Sequence, residues 1–219
     1  MIVVLVGTGT DVGKTHVSCA LARAVRDRGD RVVAWKPIAS GADAAGGDAA
    51  ALADAVGGTV LSPLYSFAEP ISPHLAARRV GVTIELAPIA ARAAELARGS
   101  DVAIVETAGG LFSPLDRGVA NADLVRAIAG ARVVLVAPDR IGVLHDVRAT
   151  LLAAASVGVV VDALALSAPA IADASTGTNA GEIEDTLERA VAASFPREAW
   201  TTRPSLDAAA AILAVLARG

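Results

Sequence analysis

Short apolar runs rich in β-branched residues alternate along this chain with longer stretches whose apolar positions recur at helical spacing. IVVLV (Ile2–Val6), RVVAW (Arg31–Trp35), VAIVE (Val102–Glu106), VVLVA (Val133–Ala137) and DALALS (Asp162–Ser167) predict strands. Each is almost continuously apolar, as a parallel strand covered on both faces requires. Helical patterns run over Lys14–Arg28, Ile84–Arg98, Ala122–Ala129, His145–Val157, Gly181–Ala193 and Ser205–Leu216. The alternation predicts an α/β fold with a doubly wound, mostly parallel sheet flanked by helices. YSFAEPISPHLAA reads as a shaped connection rather than a strand, and ADAAGGDAAALADA as a loop leading into a helix. The apolar stretch Leu151–Leu166 is interrupted by Gly158 and Asp162, so it reads as a helix end, a turn and a buried strand.

In such folds ligands collect outside the carboxyl ends of the strands. The polar punctuation follows that rule: GTGTDVGKT after the first strand, KPIASG after the second, ETAGG after the third and PDRIG after the fourth. These segments are expected to meet in one active site within a single domain spanning 1–219. With 54% hydrophobic residues the core is well supplied, mostly by Ala, Val and Leu, because aromatics make up only 3%. Scarce aromatics, a net charge of −4 and the lack of a basic run argue against nucleic acid as a partner. A lone cysteine, Cys19, excludes an internal disulfide. No basic segment precedes Ile2–Val6, and that run is too short to span a bilayer. The expectation is a soluble cytoplasmic protein that does not engage a membrane.

The first punctuating segment carries the strongest chemical signal. Gly7, Gly9 and Gly13 bracket a loop that ends in Lys14 and Thr15, where a helix should begin. Backbone N–H groups of such a loop can converge on a phosphate, and the helix N-terminus adds favourable partial charge. The pattern is G-x-x-T-x-x-G-K-T, with Thr8 where the usual P-loop has its first glycine. Lys14 would reach the outer phosphates and the Thr15 hydroxyl a Mg²⁺ ion. Of 19 basic residues only Lys14 and Lys36 are lysine, and each follows a core strand closely. That usage suggests sites needing a compact point charge rather than a planar fork. Glu106 ends the third strand before Gly109–Gly110, and Asp48 follows a flexible segment. Both are candidate metal carboxylates. The structural alternatives are a solvent-facing strand end for Glu106 and a helix N-cap for Asp48. His16, His74 and His145 have no metal-binding spacing, and no Ser–His–Asp signature nominates a nucleophile.

Taken together, GTGTDVGKT, WKPIASG, YSFAEPISPHLAA, VETAGGLFSPL and GVLHDVRATL resemble the dethiobiotin synthetase family, the ATP-dependent cyclo-ligases of biotin synthesis. The resemblance implies a homodimeric P-loop NTPase-like fold that turns 7,8-diaminononanoate, CO₂ and ATP into dethiobiotin, ADP and phosphate. It implies that Lys36, Lys14 and Thr10 are catalytic and that Thr10, Lys36, Ser40 and Gly110 meet the diamine. Asp11, Val12, Gly13, Lys14, Thr15, His16, Asp48, Glu106, Thr107, Ala108, Gly109 and Pro204 would contact the nucleotide and its metal. Mg²⁺ would sit on Thr15, Asp48 and Glu106.

Two other P-loop readings exist. An amide ligase of the cobyrinic acid type would share the loop but is expected to be followed by a glutamine-hydrolysing domain. A nucleotide-switch partitioning ATPase would carry a further lysine early in the loop, and positions 7–13 contain none. Two departures from the family stand out: Leu144 replaces the asparagine usual before His145, and Ser167 and Ala168 stand where an asparagine usually reads adenine, which bears on base selection. With that amide gone, other nucleoside triphosphates are expected to replace ATP with modest loss. Turnover with ATP, CTP and GTP checks this; a preference for ATP beyond about a hundredfold, ~2.7 kcal/mol, contradicts it.

Overall fold

The computed structural model describes residues 1–41 and 47–218. In chain order the first half comprises β1 (Ile2–Gly7), α1 (Lys14–Asp27), β2 (Val32–Trp35), β3 (Ile38–Ser40), α2 (Gly47–Val56), β4 (Tyr65–Phe67), α3 (Pro73–Arg79), α4 (Leu86–Arg98) and β5 (Val102–Glu106). The second half comprises β6 (Pro114–Asp116), β7 (Val119–Ala120), α5 (Asn121–Ala127), β8 (Ala131–Pro138), α6 (Val143–Ser156), β9 (Ala163–Ser167), α7 (Asn179–Leu187), β10 (Ala193–Phe195) and α8 (Arg203–Leu216).

The main sheet has the order β10–β9–β8–β1–β5–β2, and every neighbouring pair is parallel. All six residues of β1 are buried, because it lies inside the sheet with helices over both faces. Val17, Leu21, Leu52 and Ile212 from α1, α2 and α8 pack on one face. Ile89, Leu124, Val147 and Ile183 from α4, α5, α6 and α7 pack on the other. Each such fully buried aliphatic side chain stabilises the fold by roughly 1.5–3 kcal/mol. The sequence pattern thus gives the right architecture. β1 sits where the chain turns from building one side of the sheet to building the other. The segment leaving its carboxyl end therefore opens into the crevice of a topological switch point.

The differences from expectation have local causes. The last helical pattern before α8 was expected to reach Ala193, but α7 stops at Leu187, where Glu188 adopts φ 50° and ψ 36°. The residues beyond it supply β10, a three-residue edge strand too short to show alternation. YSFAEPISPHLAA contains a strand after all, β4, paired in parallel with β3. It also contains α3, which starts with Pro73 in its first turn, where a missing N–H is harmless. Of the alanine- and glycine-rich stretch, α2 forms as expected, and residues 42–46 lie outside the described residues.

Two glycines show how the tip of β1 is constrained. A methyl on Gly7 would stand 2.8 Å from both the Gly9 carbonyl oxygen and Val12 Cγ2, and 3.2 Å from Lys14 Nζ. A methyl on Gly181, inside α7, would meet nothing within 4 Å. Gly7→Ala is therefore expected to destabilise the chain by about 1–3 kcal/mol through overpacking. Gly181→Ala should stabilise it by about 0.5–1 kcal/mol through helix propensity. Denaturant unfolding of both variants checks the contrast; a Gly7→Ala chain as stable as the parent would contradict it.

Candidate active site

The loop between β1 and α1 is fastened to its neighbours almost entirely through backbone. Thr8 N–H donates to Val136 O on β8 at 3.0 Å, and Leu111 N–H donates to Gly7 O at 2.8 Å. The Thr107 N–H and hydroxyl both donate to Leu5 O, at 3.0 and 2.9 Å. Gly110 passes so close that a methyl on it would lie 3.2 Å from Gly7 O and from Gly9 N. Asp11 and Gly13 turn the loop through the left-handed region, at φ 56° and 93°. Gly13 precedes α1 without a capping side chain, and no acidic residue lies in the first turn of that helix. Its leading N–H groups are left for an anion.

Two ammonium groups and two carboxylates gather beside this loop. Lys14 is 7% exposed and donates to Gly9 O at 3.0 Å. Glu106, at the end of β5, is fully buried. Its Oε1 accepts the Thr15 hydroxyl at 2.8 Å and Lys36 Nζ at 3.1 Å, whereas Oε2 is buried with no hydrogen-bond partner among the described residues. Lys36, immediately after β2, also donates to Asp48 in the first turn of α2. The buried position rules out the solvent-facing reading of Glu106, and Asp48 is a first-turn residue bonded to a lysine.

The titration of these groups follows from burial and from one another. Burial works first against the Lys36 charge, but the Glu106 and Asp48 carboxylates, by field and hydrogen bond, outweigh it and hold its pKa above the ordinary value. Burial would raise Asp48, yet Lys36 overrides it and holds that carboxyl below its usual range. For Lys14 burial prevails and lowers the pKa; Lys36 adds to this and Glu106 opposes it. Burial and then Glu106 push the Cys19 thiol up to about 12, so it is no nucleophile.

Among the described residues no group of three or more His, Cys, Asp or Glu side chains exists that could hold a metal ion. Two carboxylates and a hydroxyl, one carboxylate oxygen lacking a partner among the described residues, instead form the oxygen-rich, incomplete donor set that suits Mg²⁺ shared with phosphates and water.

Cavities flank the loop on both sides. One, of about 490 Å³, is lined by Asp11, Val12, Gly13, His16, Ser167 and the segment Pro196–Trp200, among others. His16 meets Phe195 edge-on, with centroids 5.9 Å apart, and its pKa is lowered by burial and then by Arg197. The other, of about 480 Å³, lies between Thr8, Gly9, Gly110, the Leu111–Pro114 turn, and Ala149, Thr150 and Ala153 of α6.

Of the remaining sequence candidates, Thr10 is exposed, with its Oγ1 3.7 Å from where a methyl on Gly109 would stand. Ala108 is buried, and Ser40 ends β3, four residues after Lys36. Pro204 is exposed in the first turn of α8 and is not among the residues lining the 490 Å³ cavity, where Pro196 takes such a place. Thr107 spends its hydroxyl on Leu5 O, which ties β5 to β1. Sequence reasoning missed Asn121: fully buried, it donates to Ala108 O at 2.7 Å and Gly110 O at 2.9 Å. It thereby braces the Thr107–Gly110 turn. An asparagine at the head of an apolar helical pattern was the only available signal.

Comparison with known proteins agrees with this geometry. The AAA_26 family model, described as an AAA domain, matches residues 2–205. The chain is 44% identical over 173 residues to the ATP-dependent dethiobiotin synthetase BioD of Caulobacter sp. (strain K31), covering 74% of this chain and 73% of that protein. It is 42% identical over 161 residues to the protein of the same name from Xanthomonas euvesicatoria pv. vesicatoria (strain 85-10), covering 69% and 71%. Among solved structures, the MinC:MinD cell division protein complex of Aquifex aeolicus aligns with a TM-score of 0.62 at 12% identity, covering 100% of this chain and 96% of that one. Chloroplast FtsY from Physcomitrella patens aligns with a TM-score of 0.58 at 20% identity, covering 95% of this chain and 65% of that one. At such identities these two speak for the fold alone. With a P-loop at the sheet's switch point and this identity spread over most of its length, the chain belongs to the ATP-dependent dethiobiotin synthetase family.

Proposed function

We propose that this chain is a cytoplasmic ATP-dependent cyclo-ligase that converts 7,8-diaminononanoate and CO₂ into dethiobiotin, with release of ADP and phosphate. The observation that carries the reading is the meeting of Lys14, Thr15, Lys36, Asp48 and Glu106 at one strand edge. One amine of the substrate captures CO₂ as a carbamate, which then attacks the γ-phosphate of ATP. Both partners are anions, so the approach requires positive charge between them. Lys14, anchored in the loop, meets the outer phosphates. Lys36 meets the carbamate and the phosphoryl group on its way between them. Thr15, Asp48 and Glu106 would hold Mg²⁺, which when bound supplies further neutralisation of phosphate charge.

Phosphoryl transfer leaves a carbamic–phosphoric anhydride and ADP. The second amine attacks the anhydride carbonyl, phosphate departs and the ring closes. Both amines sit on adjacent carbons, so closure is intramolecular and needs no covalent enzyme intermediate. Thr10, Ser40 and Gly110 border the diamine, whose apolar chain suits the cavity between Gly110 and α6. Asp11, Val12, Gly13, His16, Thr107, Ala108 and Gly109 border the nucleotide, whose nucleoside suits the cavity that ends at Trp200. We also assign a homodimer. Ile141 at 74%, Leu152 at 66% and Ile171 at 86% exposure put apolar surface on and beside α6 that a second copy would cover.

Enzyme mixed with diamine, bicarbonate and ATP is expected to yield a cyclic urea detectable by mass, with phosphate release dependent on both diamine and bicarbonate. Phosphate release indifferent to the diamine would sink the reading. Lys36→Gln should lower turnover by about 10²–10³, the scale for losing one transition-state charge contact. Its nucleotide affinity should stay within a few-fold of the parent's; unchanged turnover would remove Lys36 from the mechanism. Leu152→Glu should shift the mass measured by light scattering from dimer to monomer, and an unaltered mass would move the interface elsewhere.

A further inference from the structure

We propose that Asp139 is a positioning residue for the nucleotide cavity, latching the connection between β9 and α7 onto the tip of β8. The proposal rests on the reading of that cavity as the nucleoside's. Asp139 follows β8 directly and is 7% exposed. Its Oδ1 accepts Asn179 Nδ2 at 2.7 Å, and its Oδ2 accepts Gly177 N–H at 2.9 Å. The Asp139 carbonyl accepts the Thr176 hydroxyl at 3.0 Å. Its own N–H donates to Ser167 O at 2.8 Å, joining the tips of β8 and β9.

A second set of bonds supports the first. Asn179, 2% exposed, also donates to Ser175 O at 3.0 Å. Asp173 accepts Ile141 N–H at 2.8 Å and the Ser175 hydroxyl at 2.6 Å. The turn after β8 and the segment before α7 are thus held to each other at Asp139 and again at Ile141. Residues 168–178 form no strand and lend no apolar side chain to the core, which α7 itself meets through Ile183, Ala180 and Leu187. Hydrogen bonds to the buried Asp139 carboxylate and to the exposed Asp173 carboxylate are therefore what fixes the segment.

The position so fixed is that of a cavity wall. Pro138, the residue before Asp139, lines the cavity, and so do Ser167, Ala168, Pro169 and Ala170, where the connection begins. Ser167 in turn packs against the phosphate loop so tightly that a methyl on Gly13 would collide with its Oγ and Cβ. A fixed path therefore runs from Asn179 and Gly177 through Asp139 and Ser167 to Gly13. Removing the carboxylate takes the 2.7 Å acceptor from the buried Asn179 amide, which keeps only its longer bonds to Ser175, and takes the acceptor from the Gly177 N–H, so the segment would rearrange and the wall with it.

Asp139→Ala is expected to weaken ATP binding about tenfold, ~1.4 kcal/mol, followed through Trp200 fluorescence or calorimetry. The KM for ATP should rise in parallel, kcat at saturation should stay within about twofold, and hydrogen exchange over residues 171–179 should accelerate. Asp139→Asn retains one acceptor oxygen and should fall between. If Asp139→Ala does not fold, Thr176→Val removes the bond to the Asp139 carbonyl, and with it the acceptor of the Asp173 N–H, and should still raise the ATP Kd about two- to threefold. A folded Asp139→Ala chain with unchanged ATP Kd, or a fall in kcat with KM unmoved, overturns the latch alone. A parent chain that binds no nucleoside triphosphate overturns the latch and the functional reading together.

Discussion

Two ammonium groups beside one phosphate loop repel each other, and burial makes the repulsion worse. The arrangement survives because Glu106 stands among them with no exposure to water, accepting from Lys36 and from Thr15. A lone buried carboxylate would cost several kcal/mol, and so would an unaccompanied buried ammonium. Here each charge is the condition for the other, and Asp48 completes the neutralisation of Lys36. The result is a site whose protein charges nearly balance and in which Glu106 Oε2 has no partner among the described residues. The proposed reaction brings a further cation and a polyanion to it together.

Backbone places that cluster. The sheet reverses its order of growth at β1, so the loop after β1 faces a crevice rather than a helix. Within it, Gly7 and Gly110 let two chains pass at distances a side chain would block. The Thr107–Gly110 turn is tied to β1 by Thr107 and braced from behind by Asn121. These bonds fix where Glu106 ends and where an anion can sit, so packing far from the chemistry sets distances within it.

The two flanking cavities differ in their linings. The one reaching Trp200 is bordered by His16, whose depressed pKa favours the neutral ring, and by an edge-on Phe195 behind it. The one beside α6 has walls of glycine, alanine and apolar side chains, with the hydroxyls of Thr8, Ser113 and Thr150. The phosphate loop lies between them, the arrangement that the proposed transfer between two bound molecules calls for.

Much of this was written locally. Strand runs with apolar residues at every position had to be inner parallel strands, and GTGTDVGKT could only leave such a strand to start a helix. The pair of lysines and Glu106 stood out by residue type and by position at strand ends. What local signals did not contain was decided by contacts distant in sequence. The short β10 exists because β9 offers it an open edge, and α7 ends early at a left-handed Glu188. Asn121 and Asp139 become braces only when turns 11 to 40 residues away are folded against them. Periodicity reports which face of an element is buried; it carries no record of which buried polar atoms will meet, and that is where the tertiary structure made the site.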